Sequence, residues 1–81
     1  MELPPHDGAP LTDTETRLLA ILRGEPGRIF SRGELVARVM PDAIVSERTI
    51  DVHVHALRRK LGAEGARVHT VRGQGYTYAT P

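Results

Sequence analysis

Along this chain apolar positions recur with helical spacing three times, and only near the end do they switch to alternation. Leu18, Leu19, Ile21 and Leu22 share one helical face. Thr12-Asp13-Thr14-Glu15 opens that segment as a capping box: a threonine and a glutamate three residues later pair two backbone donors that the first turn leaves unbonded. Leu11 is placed to staple onto this turn, and Gly24 with Pro26-Gly27 stops the helix. Arg28-Ile29-Phe30 reads as one small strand. A second box, Ser31-Arg32-Gly33-Glu34, introduces a helix carrying Leu35, Val36 and Val39, which Pro41 ends.

The third helix is predicted from an N-cap at Ser46 to Leu61, with Gly62 capping its C-terminus. Ile50, Val54, Leu57 and Leu61 line one narrow stripe that must face a core. Arg48, Val52, His55, Ala56 and Arg59 then fall on the opposite surface. Asp51 and Arg58 lie on one flank, and Thr49, His53 and Lys60 on the other. Beyond Gly62 the period becomes two. Arg67–Val71 and Tyr76–Ala79 predict a hairpin with Arg72-Gly73-Gln74-Gly75 at its tip. Three helices followed by such a hairpin describe an α+β winged helix-turn-helix: a three-helix core with a C-terminal β-hairpin wing.

Length and composition narrow the picture. Eighty-one residues make one domain, divided here into 1–10, an N-terminal tail or remnant turn, and 11–81, the winged helix-turn-helix. Without cysteine there are no disulfides and no thiolate metal sites. No apolar run approaches the roughly 20 residues that span a bilayer. Met1-Glu2-Leu3-Pro4-Pro5 lacks the basic and apolar regions of a signal peptide. The expected location is the cytoplasm, with no membrane partner.

The net charge of +1 is unremarkable, but its distribution is uneven. Residues 1–43 hold five arginines against seven acids. Residues 44–81 hold Arg48, Arg58, Arg59, Lys60, Arg67 and Arg72 against Glu47, Asp51 and Glu64. Positive potential therefore gathers in the C-terminal half, where a polyanion is attracted. A helix with a buried stripe and a basic, mostly short-chain back fits a DNA major groove. The same pattern also describes a solvated helix face on a protein-interaction module. The Arg72-Gly73-Gln74-Gly75 tip is either a plain hairpin turn or an arginine presented to a minor groove.

Other chemistries find little support. His53 and His55 diverge by about 200° on a helix and cannot share one ion, and His6 and His69 complete no ligand set. No metal site or cofactor is expected. There is no cysteine nucleophile, no G-x-S-x-G elbow and no phosphate-cradling loop, so no enzyme is expected.

Three motifs carry a resemblance. They are Leu11-Thr12-x-x-Glu15 through Pro26-Gly27-Arg28-Ile29-Phe30-Ser31-Arg32-x-Glu34-Leu35; then Arg48-Thr49-Ile50-Asp51-Val52-His53-Val54 with Leu57-Arg58-Arg59-Lys60-Leu61; then Thr70-Val71-Arg72-Gly73-x-Gly75-Tyr76. Together they span residues 11–79 and resemble the effector domain of OmpR/PhoB-type response regulators. The resemblance implies sequence-specific double-stranded DNA binding for transcription regulation, with helix 46–61 in the major groove and wing 70–76 at the minor groove. It places Arg48, Thr49, Asp51 and His53 where that helix contacts DNA or braces the contacts, and Val52 on a thymine methyl. It places Arg58 and Arg59 on the backbone or base edges, Thr70 and Tyr76 near phosphates, and Arg72 at the minor groove.

His55 and Ala56 stand where relatives often carry basic residues, one of them base-reading, and Met40 where tryptophan is common. The family's receiver domain and most of its N-terminal sheet have no counterpart; only Asp7-Gly8-Ala9-Pro10 resembles the last turn of that sheet. An excised domain and a compact regulator both fit. The implied partners are DNA, RNA polymerase through loop 40–45, and a second copy paired on DNA. The alternative is a protein-binding winged-helix adaptor that contacts RNA polymerase or another regulator.

Overall fold

The computed structural model describes residues 10–80; of the expected tail or remnant turn at 1–10, residues 1–9 lie outside them. Helices α1 (Asp13–Gly24), α2 (Arg32–Val39) and α3 (Arg48–Leu61) are followed by a 3-10 turn over Gly62–Arg67. The antiparallel pair β1 (Val68–Val71) and β2 (Gly75–Tyr78) comes last. Each helix contributes its apolar face to one core. Leu18 and Leu22 of α1, Leu35 and Val39 of α2, and Ile50, Val54 and Leu57 of α3 close around Phe30, Val68, Tyr76 and Tyr78. Burying each such aliphatic side chain stabilises the fold by about 1.5–3 kcal/mol. Leu61, the last member of the predicted stripe, packs at the edge and is only partly buried.

The Thr12 capping box forms in both halves: the Thr12 N–H donates to Glu15 Oε1 (2.9 Å), and the Glu15 N–H donates to Thr12 Oγ1 (3.1 Å). Glu15 does more than cap. It is 3 % exposed, and Lys60 Nζ donates to the same Oε1 at 2.7 Å, strapping the start of α1 to the end of α3. Burial pushes the Glu15 carboxyl pKa up, but the Lys60 and Thr12 hydrogen bonds together outweigh it and hold the group below its ordinary value. The Ser31 box is half formed. The Glu34 N–H donates to Ser31 Oγ, while the Glu34 carboxylate turns to Arg28 (2.6 Å) and Arg38 (3.7 Å). Those two arginines lie over the Phe30 ring, so a competing cation drew the carboxylate away from the cap.

Four boundaries differ from the sequence expectation. First, α3 starts at Arg48 and Ser46 is not its side-chain cap. Glu47 already has helical dihedrals, and the Thr49 and Ile50 N–H groups donate to the Ser46 and Glu47 carbonyls, so backbone closes the first turn. Second, the Arg28–Phe30 strand contracts to a single bridge in which Phe30 and Tyr76 exchange both backbone hydrogen bonds (2.8 and 2.9 Å). Third, residues 62–67 wind as a 3-10 turn, and the hairpin strands shift to 68–71 and 75–78. Fourth, Gly75 belongs to β2 rather than to the turn. Its φ is 147°, and a Cβ there would strike the Phe30 carbonyl oxygen, so the glycine lets the hairpin lie against that bridge. Gly65 meets α3 just as closely: its Cβ would strike the Arg58 carbonyl oxygen.

Candidate nucleic-acid interface

With Ile50, Val54 and Leu57 fully buried, the opposite side of α3 is turned outward. Arg48, Val52, His55 and Arg59 are exposed there, and Val52 reaches 67 %. A β-branched apolar side chain held that open adds little burial to the fold. Thr49, His53 and Ala56 are half-buried along the two margins of the face. The positively charged end of the helix is its C-terminal turn, where Arg58, Arg59 and Lys60 also complement the helix dipole.

Asp51 stands at the meeting point of three elements. Its Oδ1 accepts from Arg32 Nε of α2 at 2.7 Å and from the Tyr76 hydroxyl of β2 at 2.5 Å. The Tyr76 and Arg32 hydrogen bonds hold the Asp51 carboxyl below its ordinary pKa. Burial, followed by the nearby carboxylate, pushes the Tyr76 hydroxyl up. Tyr76, expected near phosphates, is 4 % exposed: its ring belongs to the core and its hydroxyl donates to Asp51.

Arg58 is held from the wing side. Its Nε donates to the Val68 carbonyl and its Nη2 to Thr70 Oγ1, both at 2.8 Å, and its guanidinium carbon is 5.6 Å from the Tyr76 ring centroid. Thr70 is exposed beside it. Arg72 and Gly73 form the exposed tip, where the Gln74 N–H donates to the Val71 carbonyl and closes the turn. The structure thus brings Arg48, Val52, His55 and Arg59 onto one face of α3. It ties Asp51, Arg58, Thr70 and Tyr76 into the joint between helix and wing, and leaves Arg72 at the wing's end.

Sequence reasoning passed over Arg32. In the sequence it is only a member of a capping box and of the first motif, with no site role, yet its guanidinium carbon lies 5.6 Å from the Tyr76 ring centroid and its Nε donates to Asp51. No spacing rule links positions 32, 51 and 76, because only the tertiary crossing of α2 over α3 brings them together. Among the described residues no group of three histidines, cysteines or acids is arranged to hold a metal ion. No helix among them is long and apolar enough to cross a membrane.

The sequence matches the family model for the C-terminal domain of transcriptional regulatory proteins over residues 6–78. The chain belongs to that family. It is 47 % identical over 70 residues to the phosphate regulon transcriptional regulatory protein PhoB of Rhizobium meliloti, covering 83 % of this chain and 31 % of PhoB. It is 44 % identical over 72 residues to the transcriptional regulatory protein BaeR of Escherichia coli, covering 84 % and 30 %. The chain therefore spans about a third of the length of these relatives. Among solved structures, the DNA-binding domain of the response regulator AdeR, crystallised with an intercistronic region, superimposes with a TM-score of 0.79 at 34 % identity. That match covers 93 % of this chain and 82 % of the AdeR chain. The three-helix and hairpin arrangement is thus the winged helix of OmpR/PhoB-type effector domains, as the motifs implied.

Proposed function

We propose that this domain binds double-stranded DNA sequence-specifically in transcription regulation, laying the outer face of α3 in a major groove and its Arg72 tip at the neighbouring minor groove. The observation that carries the reading is Val52: 67 % exposed on the face opposite the seam, between cations, where a thymine methyl is a fitting partner. An α-helix about 10–12 Å wide fills a major groove of about 12 Å. Arg48 and Arg59 flank Val52 to neutralise phosphates, while Thr49, His53, His55 and Ala56 meet base edges or the groove walls. Asp51, Arg58, Thr70 and Tyr76 fix the angle between reading helix and wing. AdeR's domain, of the same fold, is solved on DNA.

Two partner assignments belong to the same reading. Ile44, wholly exposed, and Val45 give loop 40–45 an apolar tip suited to a protein such as RNA polymerase. A second copy pairs with the first on adjacent half-sites. The domain works in the cytoplasm, where its DNA is.

Titrating labelled duplexes at several salt concentrations tests the reading. Arg48→Ala and Arg59→Ala each weaken binding, and each lost phosphate contact flattens the slope of log affinity against log salt by about one unit. Unchanged affinity in both variants refutes the assignment of this face. No retention on random duplex or heparin at low salt, with a protein complex recovered instead, favours an adaptor.

A further inference from the structure

Asp51 is the sole acid of α3, and it stands beside a surface assigned to a polyanion. A carboxylate there repels phosphates, so its presence calls for a physical account. Its side chain is 41 % exposed and that of Arg32 is 34 % exposed, which puts the pair at the rim rather than in the core. The ion pair is 2.7 Å long and engages Arg32 through Nε, and the Tyr76 hydroxyl shares the same carboxylate oxygen. Arg32 gains a neutralising partner and a fixed position against the Tyr76 ring. A guanidinium so held contributes little net attraction to a passing phosphate. Arg58, the other cation at this joint, is likewise engaged by Val68 and Thr70.

We propose that Asp51 is a specificity-determining positioning residue, which holds and neutralises Arg32 so that this guanidinium makes no sequence-blind phosphate contact. Phosphate contacts add affinity for every sequence alike, whereas base contacts distinguish one from another. An arginine withheld from the backbone therefore lowers the affinity for random DNA and widens the margin of the preferred site. The effect is carried by charge, while the hydroxyl of Tyr76 keeps the carboxylate pointed at α2. The inference rests on the DNA-binding reading given above.

The test compares wild type, Asp51→Asn, Arg32→Met and the double variant. Each is titrated at several salt concentrations against a random-sequence duplex and against the duplex that wild type selects from a randomised pool. Asp51→Asn is isosteric, and its amide oxygen still accepts from Tyr76. It binds the random duplex about threefold to tenfold more tightly at low salt, with a salt slope steeper by about one unit, because Arg32 now reaches a phosphate. Its preference for the selected duplex falls by a similar factor. In the double variant the slope returns to that of wild type. Arg32→Met alone binds both duplexes more weakly and with a flatter slope, since the carboxylate is no longer compensated and salt screens its repulsion.

Two results overturn the inference: an unchanged slope or an unchanged preference in Asp51→Asn, or a slope in the double variant that differs from wild type in either direction. The double variant decides the matter even if Asp51→Asn does not fold, because an Arg32 that touches phosphate in wild type leaves it with a flatter slope. Absence of any salt-dependent binding by wild type overturns the DNA-binding reading and this inference together. Wild-type binding with an unmoved preference in Asp51→Asn overturns this inference alone.

Discussion

Replacing Lys60 with Met tests the strap between α1 and α3 without removing much packing. The methionine keeps an apolar stem and loses the ammonium. Glu15 Oε1 then retains the Thr12 N–H but loses the 2.7 Å hydrogen bond from Lys60, at a site where the two side chains are 4 % and 14 % exposed. Breaking one side of a fully buried pair costs about 3–5 kcal/mol. Lys60 is somewhat open, so water partly replaces it, and about 2–3 kcal/mol is expected. Domains of this size have total stabilities of about 4–12 kcal/mol. The loss should lower Tm by about 10–20 °C. Glu15→Gln is milder, at about 1 kcal/mol, because the amide oxygen still accepts from Thr12.

The pH dependence fixes the sign. The folded-state pKa of Glu15 lies below its ordinary value of 4.5. Its contribution is therefore complete above that value and is lost as pH falls through the lowered one. In Lys60→Met, burial without the ammonium raises the Glu15 pKa, so acid protonates the orphaned carboxyl early and relieves the strain. The gap between wild type and variant should be wide at neutral pH and shrink towards about pH 4. Thermal unfolding followed by circular dichroism at both pH values measures it. A gap below about 0.5 kcal/mol at neutral pH, or one independent of pH, refutes the strap.

Gly65→Ala drives a Cβ into the Arg58 carbonyl, and overpacking of this kind costs about 1–3 kcal/mol; chemical denaturation should show it, with weaker DNA binding because Arg58 is displaced. Ser31→Ala removes the cap on the Glu34 N–H and should cost about 1 kcal/mol by the same measurement. Arg72→Ala at the exposed tip should leave Tm unaltered yet weaken binding and flatten the salt slope by about one unit; an unaltered slope would remove the tip from the interface.

Periodicity located the three helices and the hairpin because each has one face that must be buried, and Ile50, Val54 and Leu57 sit where the stripe put them. Boundaries set by hydrogen-bond competition were less visible. Ser46 has the chemistry of a cap, but the backbone wound a tight turn first, and Glu34 chose Arg28 over closing its box. The 3-10 turn at 62–67 has no apolar period to announce it. At the candidate interface, the exposed face of α3 followed directly from the buried one. The joint of Arg32, Asp51 and Tyr76 did not, since it depends on α2, α3 and β2 converging on one carboxylate oxygen. Tyr76 shows the same limit from the other side: its aromatic ring went to the core, which a β-strand motif alone does not disclose.

The most direct test of the interface is to follow backbone amide chemical shifts while a duplex is titrated into labelled protein. The largest perturbations are expected along α3 from Arg48 to Arg59 and at the Arg72-Gly73 tip, with small changes on the outward side of α1. Perturbations concentrated on α1, with Val52, His55 and Arg59 left unmoved, would contradict it.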